Sequence, residues 1–249
     1  MSPSVTALAV WPILAANARL QAVRARTFYK HLSVSELFAE IYRSRAWGSR
    51  QDARFCSGDG SMREDVVGPY CHQVEAFIRA NDIRTIVDLG CGDFTVGSRL
   101  LDPLRDYTAI DIVPELLEEN RRRYAGMPVT FLYRDIVSDE LPEADLCLVR
   151  QVLQHLSNAE ILHIVPKLSK YRYAIVTEHV YVGRGLRPNV DKPHGPGTRI
   201  PRRSGVFLEC PPFRSNTTTL FEIPIRKDEV LRACLIDAPV ASGGAQRRL

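Results

Sequence analysis

The sequence predicts an α/β fold built on a doubly wound, mostly parallel sheet, and three observations support this. Short apolar segments alternate with helical patterns through the middle of the chain, which is typical of a parallel sheet. A glycine-rich turn, 90–92, directly follows the first of these segments. Polar residues lie at or just beyond the ends of five predicted strands, where open α/β sheets bind ligands; they are Asp88, Asp111, Asp135, Arg150 and His179.

Length and composition fit one soluble domain with an extension. The chain has 249 residues, of which 45% are hydrophobic and 25% charged, so it can bury a sizeable core. Its net charge of +4 permits an anionic partner without requiring nucleic acid. The six cysteines show no zinc spacing, so we expect reduced thiols in a cytoplasmic protein and no metal site. No apolar run approaches the ~20 residues of a membrane span, and residues 7–16 lack the basic segment of a signal peptide.

Residues 1–62 predict a helical extension followed by a flap. Apolar residues stand at helical spacing within 33–45, and a serine at the start of this segment suits a helix cap. Residues 57–61, Ser-Gly-Asp-Gly-Ser, form a loop that is either a solvated linker or a flap over a ligand, because loops both connect and carry function.

Strands and helices then alternate along the chain. A helix over 69–80 precedes the first strand, 85–89, and another helix is predicted over 96–104 after the glycine turn. Later elements, in order, are a strand over 107–110, a helix over 114–124 that begins with proline, and strands over 129–133, 145–149 and 173–177.

The last third of the chain has a different composition. Residues 183–205 are rich in Gly, Pro and Arg, and a loop of that length in a compact domain is usually functional or disordered. Strands over 206–209 and 217–225 are predicted to pair as an antiparallel edge. We therefore expect one domain over 63–237 with a substrate loop near 183–213, and a flexible tail over 238–249.

Two kinds of nucleotide ligand compete for the glycine turn. The dinucleotide fingerprint requires a third glycine at position 95, which is Thr95, so that fingerprint fails. Asp88 suits a ligand with an ammonium group and would repel a pyrophosphate, while Asp111, about 20 residues after the turn, suits ribose hydroxyls. This combination favours S-adenosylmethionine, with an unrelated glycine turn as the alternative.

The motif Val87-Asp88-Leu89-Gly90-Cys91-Gly92, together with Asp111, resembles class I S-adenosylmethionine-dependent methyltransferases, and the resemblance covers about residues 68–182. Four further segments resemble a group of bacterial methyltransferases that is largely unassigned in substrate and often linked to glycans or small metabolites. These segments are 41–48, 57–61, 111–116 and 211–213.

The resemblance implies a Rossmann-like methyltransferase fold and a set of cofactor-binding residues. Asp88, Gly90 and Gly92 are placed at the methionine end, Asp111 at the ribose, and Ile112, Asp135 and Ile136 at the adenine. The full predicted set is Asp88, Gly90, Cys91, Gly92, Asp93, Phe94, Asp111, Ile112, Asp135, Ile136 and Arg150. Residues 149–152 lack the Asn/Asp-Pro-Pro-Tyr of enzymes that methylate nucleobase amines, which disfavours such an acceptor.

A hydroxyl acceptor would also need a proton acceptor, for which His155, His179 and Glu178 are the candidates, with a packing role as the alternative for His155. Trp47 and Phe94 have aromatic faces that attract a sulfonium. Predicted substrate-binding residues are Trp47, Arg199, Arg203 and Phe213, against the alternatives of a hydrophobic anchor for Trp47 and solvated loop charges for the arginines.

The sequence thus predicts an S-adenosylmethionine-dependent methyltransferase acting on a small molecule or glycan, at a hydroxyl oxygen. The acceptor site is expected between residues 47–61 and 183–213. An RNA or protein methyltransferase, or a cofactor-binding module without catalysis, remains the alternative. A membrane partner is not expected, nucleic acid is disfavoured, and the sequence does not predict the oligomeric state.

Overall fold

The computed structural model describes residues 32–51 and 53–236. Within them, a seven-stranded sheet has the order β3-β2-β1-β4-β5-β7-β6. The strands are β1 (Thr85–Leu89), β2 (Asp106–Asp111), β3 (Thr130–Tyr133), β4 (Leu146–Arg150), β5 (Tyr173–Tyr181), β6 (Thr217–Arg226) and β7 (Glu229–Ile236). Strands β1 to β5 are parallel, and β7 runs antiparallel to both β5 and β6. The predicted mostly parallel sheet with an antiparallel edge is confirmed.

Four helices accompany the sheet in the described residues: α1 (Val34–Arg43), α2 (Glu64–Ala80), α3 (Pro114–Arg123) and α4 (Asn158–Leu168). Capping boxes fix the starts of α1 and α4, because Ser33 and Ser157 each exchange hydrogen bonds with the glutamate three residues later. None of these helices is both long and apolar enough to span a bilayer.

The core lies on both faces of the sheet, because alternate side chains of each strand point to opposite sides. Ile86 of β1 packs on one face with the apolar side of α2, including Val74 and Ile78. Val87, the next residue, packs on the other face with Ile161 of α4. This double cover leaves the carboxyl ends of the parallel strands as an open edge.

Two predicted elements differ from the structure. The helix expected over 96–104 is only a 3-10 turn, Gly97–Leu100, because Pro103 disfavours a helical conformation at Asp102. Residues 206–209 form a loop, buried as far as Leu208, instead of a strand, and β6 pairs with β7 through the turn 227–228. Asp228 accommodates the positive φ of this turn (60°). The first 31 residues of the predicted extension and the predicted tail, 238–249, lie outside the described residues.

Candidate active site

A cavity of about 300 Å³ lies at the carboxyl edge of the parallel strands. Strand ends form its floor, while Trp47, residues 57–61 and residues 196–198 contribute to its cover. Most of the residues predicted from sequence line it: Trp47, Asp88, Gly90, Cys91, Gly92, Asp93, Asp111, Ile112, Asp135, Ile136, Arg150, His155 and His179. Five do not line it: Phe94, Glu178, Arg199, Arg203 and Phe213.

The turn after β1 requires glycine for steric reasons. Gly90 and Gly92 have φ of 73° and 57°, and a Cβ on Gly90 would lie 2.5 Å from Val152 Cγ2. The N–H groups of Gly90 and Cys91 both donate to the carbonyl of Ile110, at 2.8 Å each. The turn is therefore tied to β2, and its backbone forms part of the cavity wall.

Asp111 ends β2 with its carboxylate held by two backbone groups. The N–H of Gly92 donates to Oδ2 at 3.0 Å, and the N–H of Val113 donates to Oδ1 at 3.1 Å. Burial raises the pKa of Asp111 to about 6, against the effect of these hydrogen bonds. The carboxylate is thus fixed at the turn.

Asp88 and Arg150 bring opposite charges to the same cavity. Asp88 accepts a hydrogen bond from the Tyr107 hydroxyl at 3.1 Å, and burial raises the pKa of Asp88 to about 6. The Arg150 guanidinium lies 4.9 Å from the ring centre of Tyr70, and its Nη2 donates to the carbonyl of Gly60 at 2.6 Å. Arg150 Nε is buried and has no hydrogen-bond partner within the described part of the chain. Such a pair suits a ligand that carries both an ammonium and a carboxylate.

Residues 57–61 cover the turn through reciprocal hydrogen bonds at Ser57. The Ser57 N–H donates to Asp93 Oδ2 at 3.0 Å, and the Asp93 N–H donates to Ser57 Oγ at 2.8 Å. The hydroxyls of Tyr42 and Ser57 are 3.1 Å apart, so α1 also contributes to this anchor.

The 3-10 turn Leu153–His155, which follows β4, is held by two buried charges. Glu178 accepts from the N–H groups of Val152, Leu153 and Gln154, at 2.8–3.1 Å. Arg199 donates to the carbonyls of Leu153, Gln154 and Leu156, at 2.8–3.2 Å. The carboxylate thus satisfies the donors of the turn and the guanidinium satisfies its acceptors.

These contacts correct two expectations from sequence. Glu178 is 2% exposed and Arg199 is 1% exposed, and neither lines the cavity. Burial raises the pKa of Glu178 to about 7, but its oxygens are occupied by backbone donors. Glu178 and Arg199 therefore hold the turn, in place of the predicted proton-acceptor and substrate-binding roles.

His155 is enclosed between the two covering segments. Its ring centre lies 4.9 Å from that of Trp47, and its Nδ1 lies 3.3 Å from the carbonyl of Gly195. The Trp47 indole N–H donates to the carbonyl of Pro196 at 3.1 Å. Burial, followed by the charge of Lys192, lowers the pKa of His155 to about 3. The imidazole is therefore neutral and resists protonation, so this environment favours the packing alternative.

The remaining three expected residues lie away from the cavity. Phe94 is fully buried and packs edge-on against Tyr107 and Phe131 in the core. Phe213 is buried on the opposite face of the sheet from Phe94, in the core that includes Ile161 of α4. Arg203 is exposed at the surface. Their positions follow from packing, which the sequence pattern did not reveal.

Sequence reasoning did not identify several residues that line the cavity, including Tyr70, Tyr107 and Gln154. Tyr107 lies 19 residues from Asp88, and their pairing depends on the register of β1 against β2. No motif spacing signals such a contact. Tyr70 reaches the cavity from α2, where its place among the buried apolar residues of the helix gives no sign of this contact.

Part of the chain is similar in sequence to known methyltransferases. Residues 86–171 match the family described as a methyltransferase domain. An uncharacterized methyltransferase of Mycobacterium tuberculosis (strain ATCC 25618 / H37Rv) is 35% identical over 79 residues, which is 32% of this chain and 37% of that protein. The chain thus spans little more than a third of the length of this curated relative.

Solved structures share the fold at low sequence identity. Human N-acetylserotonin methyltransferase in complex with S-adenosylmethionine superposes with a TM-score of 0.54 at 17% identity, covering 83% of this chain and 60% of that one. The N-methyltransferase NodS from Bradyrhizobium japonicum WM9, bound to S-adenosylhomocysteine, also has a TM-score of 0.54, at 13% identity, covering 83% and 100%.

Proposed function

We propose that the chain is an S-adenosylmethionine-dependent methyltransferase. The observation that carries the proposal is one cavity that combines the turn 90–92 with buried Asp88 and Asp111 and half-buried Arg150. The matching family segment and the two superposed structures support the same function.

The donors and acceptors in the cavity fit this cofactor group by group. Asp88 matches its ammonium, and the guanidinium of Arg150, a residue that lines the cavity, matches its carboxylate. Asp111 matches the ribose hydroxyls, and Ile112 with Ile136 offers apolar surface to the adenine.

When bound, S-adenosylmethionine supplies a methyl group on a positively charged sulfur. The chain's own task is to bind and align the reactants, which can accelerate such a displacement greatly.

We further propose a small acceptor, a metabolite or a glycan unit, methylated at a hydroxyl oxygen. Trp47 and residues 57–61 cover one side of the cavity, and residues 196–198 cover another. The hydrogen bond from Trp47 to Pro196 joins these covers, which restricts the acceptor's size. A covered site of about 300 Å³ suits a small ligand and disfavours a nucleic-acid duplex.

Calorimetric titration with S-adenosylmethionine, S-adenosylhomocysteine and NAD tests the cofactor assignment. We expect binding of the first two compounds and none of NAD. The activity is tested by incubating the protein with a small-molecule extract and cofactor carrying a labelled methyl group. Binding of NAD alone would overturn the cofactor assignment. Cofactor binding without labelling of the small-molecule, RNA or protein fractions would indicate a binding module.

A further inference from the structure

We infer that His179, oriented by Glu229, accepts the proton of the hydroxyl acceptor; this inference rests on the proposed function. His179 lies in β5 and lines the cavity at the carboxyl edge of the sheet. Glu229 begins β7, the antiparallel neighbour of β5. Their side chains meet diagonally across the two strands, since His179 is paired in register with Leu231.

The contact between these residues fixes which ring nitrogen is free. His179 Nε2 lies 3.0 Å from Glu229 Oε2, and both side chains are less than one-fifth exposed. A carboxylate accepts a hydrogen bond, so the proton of a neutral imidazole stays on Nε2. Nδ1 then carries the lone pair, and it makes no hydrogen bond to any of residues 32–51 or 53–236. A base with a free lone pair at the cavity is what a hydroxyl acceptor requires.

The other candidates from sequence are less suited to this role. The carboxylate of Glu178 is occupied by three backbone N–H groups and lies outside the cavity lining. His155 lies in the cavity wall, but Lys192 and Arg199 oppose a positive charge on its ring. His179 has an acidic neighbour, Glu229, which favours a proton on the ring.

The charges that face His179 come from three elements. Glu229 of β7 favours the protonated ring, whereas Arg226 of β6 and Arg63, which precedes α2, disfavour it. Burial is the largest effect and lowers the pKa of His179 below its ordinary value of 6.5. The ring is therefore neutral at pH 7.5 and able to take up a proton.

The proposed step balances in atoms and electrons. As the acceptor oxygen forms its bond to the methyl carbon, the carbon–sulfur bond breaks and its electron pair stays on sulfur, which becomes neutral. The hydroxyl proton moves to His179 Nδ1. Glu229 stabilises the resulting imidazolium and holds the ring in place, so it acts as a positioning residue.

Nitrogen NMR of histidine-labelled protein tests the geometry without an acceptor. We expect the Nε2–H tautomer of His179 at pH 7.5 in the wild type, assigned by comparison with His179→Asn. In Glu229→Gln the tautomers should mix and the pKa of His179 should fall, because a carboxylate that favours the cation is lost. An Nδ1–H tautomer or an imidazolium at pH 7.5 in the wild type would overturn the inference.

Methyl transfer into the small-molecule extract, with labelled cofactor, tests the catalytic role. His179→Asn should lower the rate by roughly 100-fold or more, with S-adenosylhomocysteine affinity within about twofold of wild type by calorimetry. Glu229→Gln should reduce the rate less and move the acidic limb of the pH profile to lower pH. The matched controls are His163→Asn on the exposed face of α4 and Glu222→Gln, whose carboxylate pairs with Arg232 in the same hairpin; both should keep the wild-type rate.

The possible failures are distinguishable. A wild-type protein that labels nothing overturns the proposed function itself. An active wild type whose His179→Asn variant keeps its rate overturns only the assignment of the base. Equal losses in Glu229→Gln and Glu222→Gln, without a shift in the pH profile, would show that Glu229 has only a structural role.

Discussion

Asp88 shows how a binding group can oppose stability at the scale of a single residue. Its pKa is raised to about 6 by burial, so the folded state holds the proton more tightly than the unfolded chain. The contribution of Asp88 to the free energy of unfolding is therefore most favourable at low pH and falls as pH rises from about 4 to about 6. Above that window the buried carboxylate is charged and the destabilisation is constant.

We predict that Asp88→Asn stabilises the free protein at pH 7.5 by roughly 1–3 kcal/mol and weakens cofactor binding. The gain should vanish below pH 4, where the wild-type carboxylate is already protonated in the folded state. Urea unfolding at both pH values and calorimetry measure the two effects. The control is Asp106→Asn, at the exposed start of β2. A variant that is less stable than wild type at pH 7.5 would contradict the prediction.

The role of an individual residue can be predicted from the sequence where the chemistry of the site requires that residue type at a fixed spacing. Gly90 and Asp111 belong to this class, since the turn needs positive φ and the acid follows on the next strand. The stacking of Arg150 on Tyr70 and the pairing of His179 with Glu229 do not, because each joins residues that are 50 or more positions apart. Only the three-dimensional register brings such partners together.

At the scale of elements, the turn Leu153–His155 depends on Arg199 for its carbonyl partners. Removing this guanidinium leaves several buried acceptors and the Glu178 charge without compensation. We predict that Arg199→Ala destabilises the protein by about 3–5 kcal/mol. Urea unfolding should show no more than about 0.5 kcal/mol for the control Arg203→Ala, which changes an exposed residue of the same loop. Similar stability in both variants would favour a substrate-binding role for Arg199.

The flap over 57–61 depends on the hydroxyl of Ser57. We predict that Ser57→Ala weakens S-adenosylhomocysteine binding roughly 5- to 10-fold, as expected for losing about 1 kcal/mol of hydrogen bonding, and speeds its release. Calorimetry and stopped-flow measurements test the two effects. Ser44→Ala is the control, because among residues 32–51 and 53–236 its hydroxyl bonds only locally, to the carbonyl of Ile41. Unchanged binding in Ser57→Ala would show that this anchor does not control access.

Elements were predictable where local pattern and tertiary packing agree. Strands β1 and β4 and the first half of β5 are largely apolar runs that are buried in the sheet, so composition alone indicates them. Residues 206–208 are equally apolar and equally buried, but they pack as a loop on the core. Burial selects apolar residues in both segments, so composition does not distinguish them. Sheet pairing does, because β7 forms its hydrogen bonds with β5 on one side and with β6 on the other.

For the whole molecule, the cavity is the place where distant parts of the chain meet. Residues 57–61 and 196–198 are separated in sequence by the entire parallel sheet, and both lie at the same opening. We predict that S-adenosylhomocysteine slows amide hydrogen exchange in both segments together, since each closes on the same ligand. Exchange measured by mass spectrometry should leave the β6–β7 hairpin nearly unchanged. Protection of one segment alone would contradict this coupling.

The indole of Trp47 gives this closure an optical consequence. The chain has two tryptophans, Trp11 and Trp47, and Trp11 lies outside the described residues. The ring of Trp47 lies 4.9 Å from that of His155 at an angle of 45°, and its N–H donates to the carbonyl of Pro196. Indole emission shifts to longer wavelength when water reaches the ring, and a Trp11→Phe protein would carry a single tryptophan, located at the mouth of the site. The emission wavelength of Trp47 would report, in real time and without a label, whether the segments 57–61 and 196–198 are together or apart.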